Sequence, residues 1–406
     1  MKVWLLRASE LMPIKNGKDR LLRMGLLAEE LTKNNHEVTW FASDYDHFKK
    51  EHLYGKDTVV EVKKGYNIHL INAIGYKKNI SVSRILNHKE LAVKLKRKIE
   101  KKPKPDLIVA SYPTIEFANV AIDYGKKHNI PVVVDIRDLW PDTFKQNLKG
   151  VVKIMSGPYV SYLNRMCKKI MKNAYSITSI SNSMLLWGLD KGKRGKTKKD
   201  QVFYIGYKRT PNLSDFVSNK LDKNKFNVCF FATINNQFNY DSIVETAKQL
   251  ENQNVEFLIC GLGPNLEKFK EKSKNVNNIK FLGWQNKEEL NYILSNSQVG
   301  IAPYKDTFDF RMSVSNKFAE YISYGLPIII TSTGYMKSLI EKNKIGLANS
   351  NPKVISEFIL KLKDDNLFYE TLSSNALKLY EKSFNADKIY KKFNDYLEEI
   401  VEEYKK

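Results

Sequence analysis

The chain has 406 residues, 42% of them hydrophobic, and a net charge of +22, enough for two or three domains with ordinary cores. No apolar run of 18 residues occurs, which excludes a simple membrane-spanning helix. Three cysteines (Cys167, Cys229 and Cys260), odd in number and without ligand spacing, argue against a disulfide framework. The charge is uneven. Residues 1–200 carry 39 Lys+Arg against 20 Asp+Glu, and residues 201–406 carry 28 against 25. A drift toward lysine would raise both halves alike, so the first half is expected to face something anionic, a nucleic acid or an acidic membrane surface.

Lys2–Arg7 reads as a short strand rather than a signal peptide, and the chain as cytosolic. A turn-prone loop over 13–18 follows, then a helix with Leu22, Leu26, Leu27 and Leu31 on one face, then a strand over Glu37–Ala42. That order is a βαβ unit and implies a parallel sheet. Further strands are expected at Asp106–Ala110, Pro131–Asp135 and Ser176–Ile180, with helices between. The alternation restarts at Val228–Ala232 and continues through Glu256–Cys260, Ile279–Leu282, Gly300–Ala302 and Ile328–Thr331. Two runs of βα units predict two doubly wound α/β domains. The polar stretch Thr210–Lys225 is the expected connector, and a last amphipathic helix covers Asn385–Lys406.

The segment 313–331 is the most informative. Ser313 and Ser315 are N-cap types ahead of a helix over Asn316–Ser323, Gly325 and Pro327 end it, and Ile328–Ile330 supplies a buried strand. The start of such a helix presents backbone N–H groups to an anion. Lys317 adds charge in the first turn, and Glu320 lies one turn on, where it can accept hydrogen bonds from two sugar hydroxyls. A phosphate site beside a sugar-hydroxyl site suits a nucleotide-sugar.

In order and spacing, Ser315–Pro327, Phe257–Pro264, Asn278–Trp284 and Val134–Asp142 resemble the family-4 retaining glycosyltransferases of the GT-B fold. The run Val134–Asp142 is similar to a subgroup that builds bacterial capsule or O-antigen polysaccharide. The resemblance implies two Rossmann-like domains facing a cleft: 1–208 for the acceptor and membrane, 209–384 for the nucleotide-sugar. It also implies that 385–406 returns as a helix to the first domain. It implies sugar transfer from a nucleoside diphosphate, UDP by preference, to a lipid-linked or glycan acceptor, without a metal or other cofactor. The sequence departs from the family where Met312 replaces the first of two glutamates. Ala232–Asn239 also lacks the Arg and Lys that grip the diphosphate, and Gly17 stands alone where relatives have a glycine pair. Lys317 and Arg311 are the expected substitutes for that charge, and Asp309 or the backbone for the sugar contact.

The expected donor residues are therefore Asp309, Arg311, Ser315, Asn316, Lys317 and Glu320, with backbone groups of Gly283 and Trp284 at the base. Gly261–Pro264 reads as a tight strand-to-helix turn rather than a phosphate loop. In the first domain Asp138 follows a buried strand, at the end where open sheets place ligands, and can orient or deprotonate an acceptor hydroxyl. Gly17, Arg20, Arg23 and Arg137 complete that side of the cleft. Asp44 and Asp46 mimic a metal-binding pair, but a lone Asp-x-Asp carries little weight. Two clusters read as membrane-facing: Lys94, Lys96, Arg97 and Lys98, and the row Arg165, Lys168, Lys169 and Lys172 on a helix over Val151–Lys172. These place the protein at the inner face of the cell membrane. The alternatives are a GT-B sugar-nucleotide epimerase, for which no acid/base set stands out, and a nucleic-acid binder, which lacks aromatic residues among its basic clusters.

Overall fold

The computed structural model describes residues 1–14, 21–147, 150, 155–209 and 221–406. It divides into two compact units, Met1–Tyr204 with Ile389–Lys406, and Ile205–Lys388. Gly17, Arg20, Val151 and most of the expected connector lie outside the described residues.

The first unit is built on strands β1 (Lys2–Leu6), β2 (Glu37–Ser43), β3 (Tyr45–Asp46), β4 (Glu51–His52), β5 (Thr58–Lys63), β6 (Tyr66–Ile71), β7 (Leu107–Tyr112), β8 (Val132–Ile136), β9 (Ser176–Ser179) and β10 (Gln201–Val202). Its helices are α1 (Arg23–Lys33), α2 (Val82–Ile99), α3 (Ile115–His128), α4 (Asp142–Asn147), α5 (Gly157–Asn173) and α6 (Asn182–Gly192). Eight strands form one sheet in the order β10-β9-β8-β7-β1-β2-β6-β5, parallel except for the edge strand β5. Helices cover both faces of such a sheet, so central strands read as unbroken apolar runs; every residue of β7 and β8 is buried. The antiparallel β5–β6 pair has no counterpart in the expectations above. Thr58–Lys63 alternates outward residues with half-buried ones in a lysine-rich stretch, and only its pairing with β6 makes it a strand.

Helix α1 lacks a capping side chain of its own, since Leu22 is its N-cap. Glu10, buried in the loop after β1, supplies the missing acceptor to the amides of Met24 (2.7 Å) and Gly25 (3.3 Å).

Two histidines of this unit give it an acid-sensitive stability. Burial, reinforced by Lys102 and Lys98, holds His69 at about 4; burial with Arg84 and Lys50 does the same for His47. Between pH 6.5 and 4 the unfolded chain therefore binds protons that the folded chain refuses. Stability is full above this window and falls as the pH drops through it. A thermal melt series should show that fall, and His69→Gln with His47→Gln should flatten it; a flat wild-type profile would contradict the assignment.

The second unit contains β11 (Phe226–Phe231), β12 (Val255–Cys260), β13 (Ile279–Gly283), β14 (Val299–Ala302), β15 (Ile328–Ile330) and β16 (Gly346–Ala348). Its helices are α7 (Tyr240–Gln249), α8 (Leu266–Lys272), α9 (Lys287–Ser295), α10 (Phe308–Met312), α11 (Asn316–Ser323), α12 (Tyr335–Asn343), α13 (Pro352–Asp364) and α14 (Asn366–Leu379). The sheet is parallel throughout, in the order β13-β12-β11-β14-β15-β16. Counted from β11, that is the 3-2-1-4-5-6 order of a Rossmann fold, and β1, β2, β6, β7, β8 and β9 repeat it in the first unit. The final helix, α15 (Ala386–Lys405), belongs to the first unit from Ile389 onward. There Phe393 stacks on Phe203 at 4.2 Å and the Tyr396 hydroxyl donates to the Lys199 carbonyl at 3.0 Å.

One glycine sets the seat of α11. A Cβ on Gly300 in β14 would lie 2.3 Å from the Tyr321 ring, so only glycine lets that ring lie flat on the strand. From there the Tyr321 hydroxyl donates to the carbonyls of Cys229 (3.0 Å) and Ile301 (3.1 Å). Gly300→Ala should cost about 1–3 kcal/mol in urea unfolding through overpacking, and an unchanged midpoint would mean that the helix shifts freely.

Candidate functional site

In an open α/β sheet, ligands bind outside the carboxyl ends of the strands where the strand order reverses. In the second unit that point lies between β11 and β14. Phe231 ends β11, Phe238 follows in the next loop, and Tyr304 comes just after β14. Lys317, from the first turn of α11, places its Nζ 5.6, 5.1 and 5.8 Å from these three ring centroids. Aromatic faces attract an ammonium and hold it in place without cancelling its charge. Ser315 caps the helix, its Oγ accepting from the Phe318 amide at 3.3 Å and bonding the Tyr304 hydroxyl. Asn316 is exposed at the same helix start. Glu320 is 2% exposed, one turn into the helix, and its charge reaches Tyr304, Tyr324 and Cys229.

The neighbouring loops are held by polar side chains. Asp306 accepts from the amide and hydroxyl of Thr333, both at 2.9 Å, and Arg311 stands 3.4 Å from its other oxygen. Burial opposes the Asp306 charge, and these hydrogen bonds with the Arg311 charge outweigh it and hold its carboxyl below the usual range. Arg311 also backs onto Gly334, whose φ of +86° and close approach to the Arg311 backbone require glycine. Asp309 takes the Thr307 hydroxyl at 2.5 Å. Both residues are thus partnered within their own loop. Gly261 and Gly263 lie so close to the carbonyls of Ala232 and Ile234 that a Cβ would come within 1.8 and 2.3 Å, so the loops after β11 and β12 pack backbone to backbone. The Gly283 carbonyl already accepts from the Gly261 amide at 2.6 Å. Trp284 is 67% exposed, so its ring does not pack beneath that turn.

The equivalent point of the first unit lies between β1 and β7. Arg7, just past β1, donates to the Pro113 carbonyl beyond β7 at 2.6 Å and to Ser111 Oγ at 3.4 Å. Burial, with Arg137 close by, lowers it to about 10 against the pull of Glu10. Glu10 pairs with Arg137, so one buried carboxylate serves two guanidinium groups and a helix start. Asp138 is half-buried at the end of β8, its Oδ1 accepting from the Leu139 amide (2.6 Å) and the Thr143 hydroxyl (3.1 Å). Arg23 departs from its expected cleft position. Its side chain is buried, doubly bonded to Asp135 at 2.8 Å and to the carbonyls of Phe203 (2.8 Å) and Tyr204 (3.2 Å). Helix α1 turns this residue inward, and its donors are spent inside the unit.

Residues 24–191 match the model of Glycosyltransferase Family 4, and residues 225–365 match that of Glycosyl transferases group 1. The chain is a glycosyltransferase of the family-4 type. Solved structures of the same architecture include sucrose-phosphate synthase from Thermosynechococcus elongatus, with a TM-score of 0.73 and 14% identity over 98% of both chains. HepE of Anabaena in complex with UDP-glucose has a TM-score of 0.66 and 15% identity over 98% of this chain and 100% of that one. WaaG, a glycosyltransferase involved in lipopolysaccharide biosynthesis, has a TM-score of 0.64 and 11% identity over 97% and 98%. The two Rossmann-like units of the transferase are therefore the GT-B fold. No curated protein sequence matches it significantly.

Sequence reasoning missed several parts of the transferase. A cavity of about 230 Å³ opens at the carboxyl edge of its first sheet, lined in part by Glu10, Met12, Tyr45, Asp46, His47 and Lys49. His47 Nδ1 lies 2.7 Å from the Tyr76 hydroxyl. The only sequence signal was position, since Glu10 lies in the loop after β1 and Asp44–Lys49 come just after β2. Asp44 is fully buried and accepts from the amides of Tyr54 (2.8 Å) and Gly55 (3.1 Å) and from Asn72 (3.0 Å). It therefore organises a loop. The basic residues sort by geometry. Lys94 bonds Glu90 and the Asn72 carbonyl, Lys98 pairs with Asp57, and Lys169 pairs with Asp123. Lys96, Arg97, Arg165, Lys168 and Lys172 are exposed. Among the described residues no helix is long and apolar enough to cross a membrane.

Proposed function

We propose that the transferase moves a sugar from a nucleoside-diphosphate donor onto a lipid-linked or glycan acceptor, with retention at the anomeric carbon. The product would be a bacterial surface polysaccharide, made at the inner face of the cell membrane. The observation that carries the reading is the ammonium of Lys317 held among three aromatic rings at the switch point of the second sheet, beside the start of α11. A fixed cation beside the start of a helix is suited to a diphosphate whose negative charge grows as it leaves.

In this reading the bond between the anomeric carbon and the diphosphate oxygen breaks as the acceptor oxygen bonds to the same face of that carbon. The acceptor's proton passes to the departing phosphate oxygen, so the protein need supply no base. Glu320 serves the donor's sugar hydroxyls, and Asp138 positions the acceptor hydroxyl. The cavity at the edge of the first sheet offers room for one acceptor ring. UDP is taken as the carrier because HepE, of the same fold, was solved with UDP-glucose.

Calorimetric titration of UDP, GDP and ADP tests the donor half. UDP should bind saturably without added metal, and Glu320→Gln should weaken it by about tenfold through loss of a charge-assisted hydrogen bond. Absence of binding by all three at millimolar concentration would remove the reading.

A further inference from the structure

Eleven of the fourteen large apolar side chains left exposed among the described residues belong to the first unit, which also holds most of the excess positive charge. Three of them lie on α2. That helix buries Asn87, His88, Leu91, Leu95 and Ile99 on one face. Its opposite face carries Val82, Leu86, Lys89, Val93, Lys96 and Arg97, which fall within about 100° of one another at 3.6 residues per turn. Val82, Leu86 and Val93 are 71%, 49% and 50% exposed. The outward stripe of a domain helix is ordinarily polar; this one holds three aliphatic side chains, three cations and no acid.

The surface continues on either side. The loop ahead of α2 adds exposed Lys77, Lys78 and Ile80. Lys89 Nζ lies 5.9 Å over the ring of Tyr162 on α5, itself 39% exposed. None of Lys77, Lys78, Lys89, Lys96 and Arg97 forms an ion pair among the described residues, whereas Lys94 and Lys98 on the flank pair with Glu90 and Asp57.

We propose that the outward face of α2 docks on an anionic lipid bilayer. Val82, Leu86 and Val93 enter the boundary between headgroups and acyl chains, and Lys89, Lys96 and Arg97 meet the phosphates. The proposal rests on the membrane placement given above and narrows it from two basic clusters to the outward face of α2, which keeps Lys96 and Arg97 and leaves out the Arg165–Lys172 row. Single-stranded nucleic acid fits the stripe poorly, because bases stack on planar rings and these apolar residues are aliphatic.

The test is co-sedimentation of the full chain with vesicles of phosphatidylcholine, alone or containing phosphatidylglycerol. The chain should bind only the anionic vesicles. Each cation near an acidic leaflet contributes roughly fivefold, so Lys89→Glu with Lys96→Glu and Arg97→Glu should weaken binding by at least tenfold. Val82→Asp with Leu86→Asp should do the same, and Arg165→Glu with Lys172→Glu should matter less. Thermal midpoints check that each variant folds, and the charge-reversal set serves if the aspartate pair does not. The proposal is overturned if wild type ignores anionic vesicles, if it binds neutral ones equally, or if the α2 variants sediment like wild type. Binding of single-stranded RNA that is lost in the same α2 variants would overturn it in favour of nucleic acid. A UDP titration runs beside each assay, so failure of the donor site and failure of docking are read separately.

Discussion

Replacing Lys317 by alanine should lower turnover with a UDP-sugar by about 100- to 1000-fold, the usual effect of removing one preorganised group that stabilises a developing anion. The expectation follows from where the charge stands. Phe231, Phe238 and Tyr304 hold the ammonium beside the start of α11, at the end of the sheet where the strand order reverses. Ala232–Asn239, the loop after β11, contains no Lys or Arg to take over. Lys317→Met separates charge from packing, because it keeps an unbranched apolar stem among the rings; it should fail as badly as alanine. UDP affinity should fall less than turnover, since the contact strengthens as charge develops. Turnover by Lys317→Ala within threefold of wild type would show that the diphosphate is gripped elsewhere.

Arg23→Ala should destabilise the first unit by about 3–5 kcal/mol, the cost of leaving one partner of a buried ion pair uncompensated. Burial works against both charges. The attraction between them outweighs it and holds Arg23 above and Asp135 below their ordinary values. Asp135 also accepts the Thr178 hydroxyl at 2.8 Å, and Arg23 reaches the Phe203 and Tyr204 carbonyls. The guanidinium thereby ties α1, β8, β9 and the end of the unit together, with its carbon 5.3 Å over the Phe393 ring of α15. Replacing both members, Arg23→Met with Asp135→Leu, should recover part of the loss, because no lone charge remains. Urea unfolding followed by circular dichroism measures it; a loss below about 1 kcal/mol for Arg23→Ala would falsify the assignment of a buried structural pair.

The roles of Lys317 and Arg23 show what each level of description could reach. Lys317 and Glu320 were legible because capping residues, helix period and the Gly-Pro stop are local, and they place both residues on one short helix. Strands β1, β2, β7 to β9 and β11 to β15 were legible because their apolar runs are local, whereas β5, β6, β10 and β16 were not anticipated. Arg23 was misjudged because an arginine at a helix start looks the same whether it faces solvent or a buried aspartate 112 residues away. Glu10, the His47 cavity and the aromatic setting of Lys317 depend on loops that follow different strands, and strand order alone decides which loops meet. The exposed stripe of α2 was hidden likewise. The lysine count drew attention to Lys94–Lys98, but which helix face is free depends on what packs against the other. The sequence by itself determined the βα alternation, the charge asymmetry and the helix that carries Lys317 and Glu320, because each arises among neighbours along the chain. Tertiary structure decided which charges are spent internally and which face outward, because burial and pairing are set by residues far apart in sequence.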